Sequence, residues 1–162
     1  MRIKLLSLFI SFFIFITCTS SSFADSINFK GLLISDFWIK ASIGNHKMTS
    51  GYLTIENTSN IDERLVSLTS EISKKTQLHD MVVKNDIMKM KYLTDGILIK
   101  ANSKVSFKSG SYHVMFIEFQ KPIIVMNKHK VTLKFENSGS LILKMPVHSK
   151  NSNNKTKKHH HH

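Results

Sequence analysis

Between residues 29 and 147, apolar and polar side chains alternate in short runs, and each run is cut off by turn-forming residues. Alternation at a period of two puts successive side chains on opposite faces of an extended chain, so it specifies strands with one buried and one wet face. Ten such runs are read, at 33–40, 51–57, 64–69, 76–83, 87–93, 97–100, 104–108, 112–119, 130–136 and 141–146. Gly44-Asn45, residues 57–60 and 84–86, Asp95-Gly96, Ser109-Gly110 and residues 137–139 separate them. Many short strands at close spacing predict an all-β sandwich or barrel. Nothing sustains a helical period, and there is no internal repeat. The expected core includes Leu33, Trp38, Tyr52, Leu53, Ile55, Leu65, Val105, Phe116, Leu133 and Ile142.

Both ends differ from this pattern. Arg2 and Lys4 precede an apolar run over residues 5–17, and Ser22-Phe23-Ala24 places small residues before a cleavage point. That is the layout of a secretory signal, and the run is shorter than the roughly 20 residues that a spanning helix needs. The expected organisation is a signal at 1–24, a domain at 25–147 and a disordered Lys/Asn/His-rich tail at 148–162, giving a soluble, monomeric periplasmic protein. The single cysteine, Cys18, raises lipidation as an alternative, but Phe15-Ile16-Thr17 lacks the small residue usual before a lipidated cysteine. Cleavage after Ala24 leaves no cysteine, which excludes a disulfide framework and a thiol nucleophile.

The formal charge is +12, yet only Arg2 and Arg64 are arginine and the lysines are scattered. Bidentate base reading favours arginine, so the charge is read as a solvated surface rather than a nucleic-acid face. There is no phosphate-binding glycine loop and no nucleophile-elbow serine, so no enzyme is expected.

The chemistry concentrates in His79-Asp80-Met81, Met88-Lys89-Met90 and His113-Val114-Met115. A two-residue loop at Lys84-Asn85 makes residue i face residue 169 − i, which sets His79 opposite Met90 and Met81 opposite Met88. A loop centred one residue later keeps the same parity. His113 and Met115, two apart on a strand, also share a face. Four side chains, His79, Met90, His113 and Met115, can then converge. Two imidazoles and two neutral thioethers suit Cu(I); calcium and magnesium want oxygen ligands, and structural zinc favours cysteine. Without a thiolate, a blue-copper electron carrier is excluded, and carrying or storing the ion remains. The bland alternative is two core methionines and two surface histidines.

These residues resemble the periplasmic copper chaperone family PCuAC, whose motif runs His, ten residues, Met, twenty-one residues, His-x-Met. His79 and Met90 have ten residues between them, Met81 matches an optional Met, and His113-x-Met115 closes the motif after twenty-two residues, one more than the family's spacing. The extra residue is placed in the turn at 93–96. Residues 51–57 and 108–113 are similar as well, and the resemblance spans about 36–147. It implies a cupredoxin-like Greek-key fold. It also implies copper delivery towards the CuA centre of cytochrome c oxidase, with the CuA subunit or a Sco-type protein as partner. A copper buffer and a metal-free structural or adhesive domain are the alternatives.

Met81 and Met88 are candidate auxiliary ligands or lip residues. His46 and Met48 form either a second soft pair or a solvated loop. His159, His160, His161 and His162 are either Cu(II) ligands or a tag remnant.

Overall fold

The computed structural model describes residues 25–84 and 86–149. The expected signal at 1–24, with Cys18, and the histidines at 159–162 lie outside the described residues. Eleven strands are formed: β1 (Ile27–Phe29), β2 (Leu32–Lys40), β3 (Met48–Asn57), β4 (Glu63–Ser70), β5 (Lys75–Lys84), β6 (Ile87–Tyr92), β7 (Ile97–Ile99), β8 (Ser103–Phe107), β9 (His113–Ile117), β10 (Lys128–Phe135) and β11 (Ser140–His148). All ten strands read from the alternation are present. β1 is additional, because three residues are too few to show a period. No helix occurs among the described residues.

Hydrogen bonds link the strands in the order β6-β5-β9-β3-β2-β11-β10-β4-β7, with β1 against β2 and β8 against β3. One pairing is parallel: Val147 and His148 of β11 run alongside Ile39 and Lys40 of β2. Through it, β11 ties the β10–β4 layer to the β2–β3 layer. Strand β3 is divided between partners, pairing with β9 from Met48 to Gly51 and with β8 from Leu53 to Asn57. The core between the layers contains Ile34, Leu53, Ile55, Leu65, Phe116, Val131, Leu133, Phe135 and Leu143, all essentially inaccessible. Each such side chain contributes about 1.5–3 kcal/mol relative to remaining exposed.

The structure corrects part of the expected core. In β2, Leu32, Ile34, Phe37 and Ile39 are buried, while Leu33 and Trp38 are only partly covered. The two share the outer face, despite an odd separation of five, because of a bulge. Ser35 faces Thr54 but Trp38 faces Tyr52, so one extra residue lies between them, and Asp36 takes a left-handed φ of 53°. The extra residue inverts the inside–outside parity halfway along the strand. Trp38 and Tyr52 consequently meet each other outside the core, ring centroids 4.7 Å apart. In β11, Leu143, Met145 and Val147 are buried and Ile142 is exposed, whereas Val105 and Tyr52 are partly buried. The strand also runs one residue past the expected domain limit, to His148.

Candidate metal site

Strands β5 and β9 are antiparallel neighbours, with His79 directly opposite His113 and Gln77 opposite Met115. On the other side of β5, His79 faces Tyr92 and Met81 faces Met90 of β6. On the other side of β9, Met115 faces Ser50 of β3. Directly opposed residues share a sheet face. Side chains from four strands therefore line one surface, with the two histidines at its centre.

The hairpin register differs from the simplest expectation. Residue i of β5 faces 171 − i of β6, not 169 − i, because the loop lies between Lys84 and Ile87, one residue later. An Asn-Asp pair tolerates the left-handed backbone of a tight hairpin, which lysine does not favour, and Asp86 has φ 59°. Met90 is thus paired with Met81 rather than His79, and Met88 lies opposite Val83. The shift is by two, so every predicted ligand stays on its predicted face.

The two imidazole rings lie 5.8 Å apart between centroids, inclined at 50°. His113 is 5% exposed and Met115 6%, whereas Met90 is 50% exposed. Short polar contacts fix both rings. His113 Nδ1–H donates to the Ser111 carbonyl at 2.8 Å, leaving Nε2 as the lone-pair nitrogen. His79 Nε2–H donates to Gln77 Oε1 at 3.0 Å. His79 Nδ1 is then the lone-pair nitrogen, and it is buried with no hydrogen-bond partner. Burial, and secondarily the charge of His113, holds the His79 imidazolium below the usual histidine range, which favours the neutral ring that a metal requires. The Ser50 hydroxyl donates to the Met115 sulfur at 3.5 Å and orients it.

Among the described residues, no three of His, Cys, Asp and Glu gather in a metal-binding group. The soft donors that strand pairing brings to this face beside His79 and His113 are the sulfurs of Met81, Met90 and Met115. Met48 lies on the same face, two residues before Ser50, and is 55% exposed; His46 is in the preceding turn, its N–H bonded to the Ile43 carbonyl. Met145 is core and Met126 is almost wholly exposed.

Sequence reasoning missed Gln77, Tyr92 and Ser50. Spacing held a signal for the first two, each two residues from a predicted ligand and so on its face. Ser50 carried none, since only the distant pairing of β3 with β9 brings it to Met115.

The LpqE-like family model matches residues 32–147. The lipoprotein-like Lxx21020 of Leifsonia xyli subsp. xyli is 29% identical over 117 residues, covering 72% of this chain and 69% of that one. RP573 of Rickettsia prowazekii is 26% identical over 117 residues, covering 72% of this chain and 63% of that one. The chain thus spans about two thirds of the length of these relatives. Among solved structures, the copper-bound PCuAC domain from PmoF2 superposes with a TM-score of 0.65 at 20% identity, covering 77% of this chain and 98% of that domain. The Cu(I) form of DR1885 from Deinococcus radiodurans superposes with a TM-score of 0.61 at 20% identity, covering 80% and 83%. The fold is therefore the cupredoxin-like β-fold of PCuAC domains.

Proposed function

On the premise that the chain belongs to the LpqE-like family, which is PCuAC-related, we propose that it is a metallochaperone holding one Cu(I) with His79, Met90, His113 and Met115. One observation carries the reading: a buried histidine nitrogen without any partner, facing a second histidine across a strand pair beside an oriented thioether. A buried, unsatisfied acceptor costs about 1–3 kcal/mol, and a bound cation removes that cost. Neutral imidazole and thioether donors match the soft, monovalent ion, and the absence of carboxylate from the face disfavours hard divalent ions. The two solved domains just described carry copper by their names, which agrees with this choice.

The ligands divide into a fixed and a mobile part. His113 and Met115 are buried and hydrogen-bonded, while Met90 stands half in solvent. An acceptor's ligand replaces Met90 first, the histidines and Met115 hold the ion during exchange, and no redox step is needed. Delivery towards the CuA centre of cytochrome c oxidase, with the CuA subunit or a Sco-type thiol protein as partner, is the proposed destination. The proposed location is the periplasm. The lipoprotein-like naming of the Leifsonia relative gives Cys18 a second role to test, as an acylated anchor, by mass spectrometry of the exported chain. The histidines at 159–162 are proposed as a separate, weaker Cu(II) capture site.

An anaerobic Cu(I) titration against a chromogenic competitor tests the assignment. One tight equivalent is expected, and it should vanish in His113→Ala. A tight equivalent that survives in that variant but disappears on deletion of residues 159–162 would assign the copper to the tail and end this reading.

A further inference from the structure

Building on the Cu(I) reading above, we propose that the β5–β6 hairpin carries a second soft-cation site, made by the thioethers of Met81, Met88 and Met90, where Cu(I) lands before it moves to His79 and His113. Strand β5 pairs with β9 only as far as His79; from Asp80 to Lys84 its partner is β6 alone. This part of the hairpin is a two-stranded ribbon standing off the sandwich, and every residue of β6 is exposed. Met81 and Met90 are directly opposed, and Met88 is two residues on from Met90 on the same face. Opposed side chains start about 5 Å apart and same-face neighbours along a strand about 7 Å apart. Three unbranched, flexible side chains close those gaps onto one ion.

Core filling does not account for Met88 and Met90, and Met81 is only partly buried. Met88 is 55% and Met90 50% exposed, and Val83 on the same face is 68% exposed. The ribbon's stretch of this face, Met81, Val83, Met88 and Met90, offers neutral sulfur and no carboxylate or thiolate, which selects Cu(I) or its analogue Ag(I) over zinc, calcium or magnesium. The opposite face carries Lys84, Lys89 and Lys91 with the one carboxylate of Asp80, a net positive charge that disfavours free divalent cations. Met90 belongs to both ligand sets and acts as the pivot. As the bond from the metal to the Met88 sulfur breaks, one to the His79 nitrogen forms. The ion keeps its single positive charge and its oxidation state, and it is never released.

The test is a titration of the whole chain, labelled with ¹³C at the methionine methyls, with Ag(I) and observation by NMR. The Met115 methyl should move with the first equivalent. The Met90 methyl should move with it and shift again in a second phase, at a free Ag(I) concentration about 100-fold higher, as a second ion draws Met90 to Met81 and Met88 and leaves the first on His79, His113 and Met115; the Met81 and Met88 methyls move in that second phase, as expected for a site without imidazole. Met88→Ile should abolish the second phase at Met81. If the Met115 methyl moves and those of Met81 and Met88 stay still at excess Ag(I), the ribbon site is overturned and the chaperone reading stands. If the Met81 and Met88 methyls move while that of Met115 does not, the ribbon site stands and the histidine-centred reading falls.

Discussion

At one end of β3, Asn57 and Glu63 are buried with every polar atom of their side chains engaged. Asn57 Nδ2 donates to the Ile61 and Ile99 carbonyls, and its Oδ1 accepts from the Ser59 N–H and hydroxyl. The Glu63 carboxylate accepts from the backbone N–H groups of Arg64, Asn137 and Ser138 and from the Ser138 hydroxyl. At the other end, about 23 Å away along the strand, Ser50 reaches Met115 beside His113 and His79, and a buried nitrogen of His79 has no partner. One polar cluster is saturated and the other is left open. The saturated cluster fixes the loops that close the sandwich. The open one leaves the His79 Nδ1 lone pair without a hydrogen-bond donor. An unpartnered buried nitrogen is not by itself a mark of function, since His129 Nε2 in β10 is buried without a partner as well; at His79 it is the opposed His113 and the thioethers on the same face that single it out.

This contrast can be broken by mutation. The largest effect is expected from Met90→Ile combined with Met115→Ile: Cu(I) affinity should fall by about 1000-fold or more through loss of both thioethers, while thermal unfolding barely moves. A large loss of folding stability in place of the affinity loss would make Met115 mainly a core residue. Glu63→Gln should do the reverse. It leaves N–H donors facing an amide, costs about 1–3 kcal/mol in denaturant unfolding, and leaves copper affinity unchanged.

Acid sharpens the same point. Burial alone raises the Glu63 pKa, but hydrogen bonds from Asn137, Ser138 and Arg64 outweigh it and hold the carboxyl below the usual glutamate range. Ionised Glu63 therefore contributes its full stability above the unfolded-state pKa, and this contribution is lost as pH falls through the lower folded value. The acid limb of a stability–pH curve should be shallower in Glu63→Gln than in the parent chain. The smallest effect is expected from Gln77→Leu. It removes the partner that fixes the His79 tautomer and should weaken Cu(I) binding about 10-fold with little change in stability, as outer-sphere partners of ligand histidines do. An unchanged affinity would show that the ring is held by packing against Tyr92 alone.

Much of this was legible in the chain. Alternation located ten strands, and the two-residue spacing within His113-x-Met115 and between His79 and Met81 assigned each pair to one face. Parity was robust because a hairpin register slip of two residues preserves it, so a wrong loop centre still gave the right face for Met81, Met88 and Met90. Where a single residue was inserted, as at Asp36, no one parity holds along the strand, and Leu33 and Trp38, which strict alternation would put on opposite faces, share the outer one. In β11 two adjacent apolar residues, Leu141 and Ile142, left the parity open, and the packed layer settled it in favour of Leu143 and Met145.

The sequence by itself determined the strand inventory, the donor chemistry and the face each donor occupies, because these depend on residue type and on separations of two along one strand. Only the tertiary structure decided that β5 and β9 are neighbours, so that His79 meets His113, and that β3 brings Ser50 to Met115. It also decided that the hairpin outruns its neighbour and leaves the Met88 and Met90 thioethers in solvent. Those contacts join residues dozens of positions apart, and no local period encodes which strands lie side by side. That choice is made by burial of the shared core and by completion of backbone hydrogen bonds across the whole sheet.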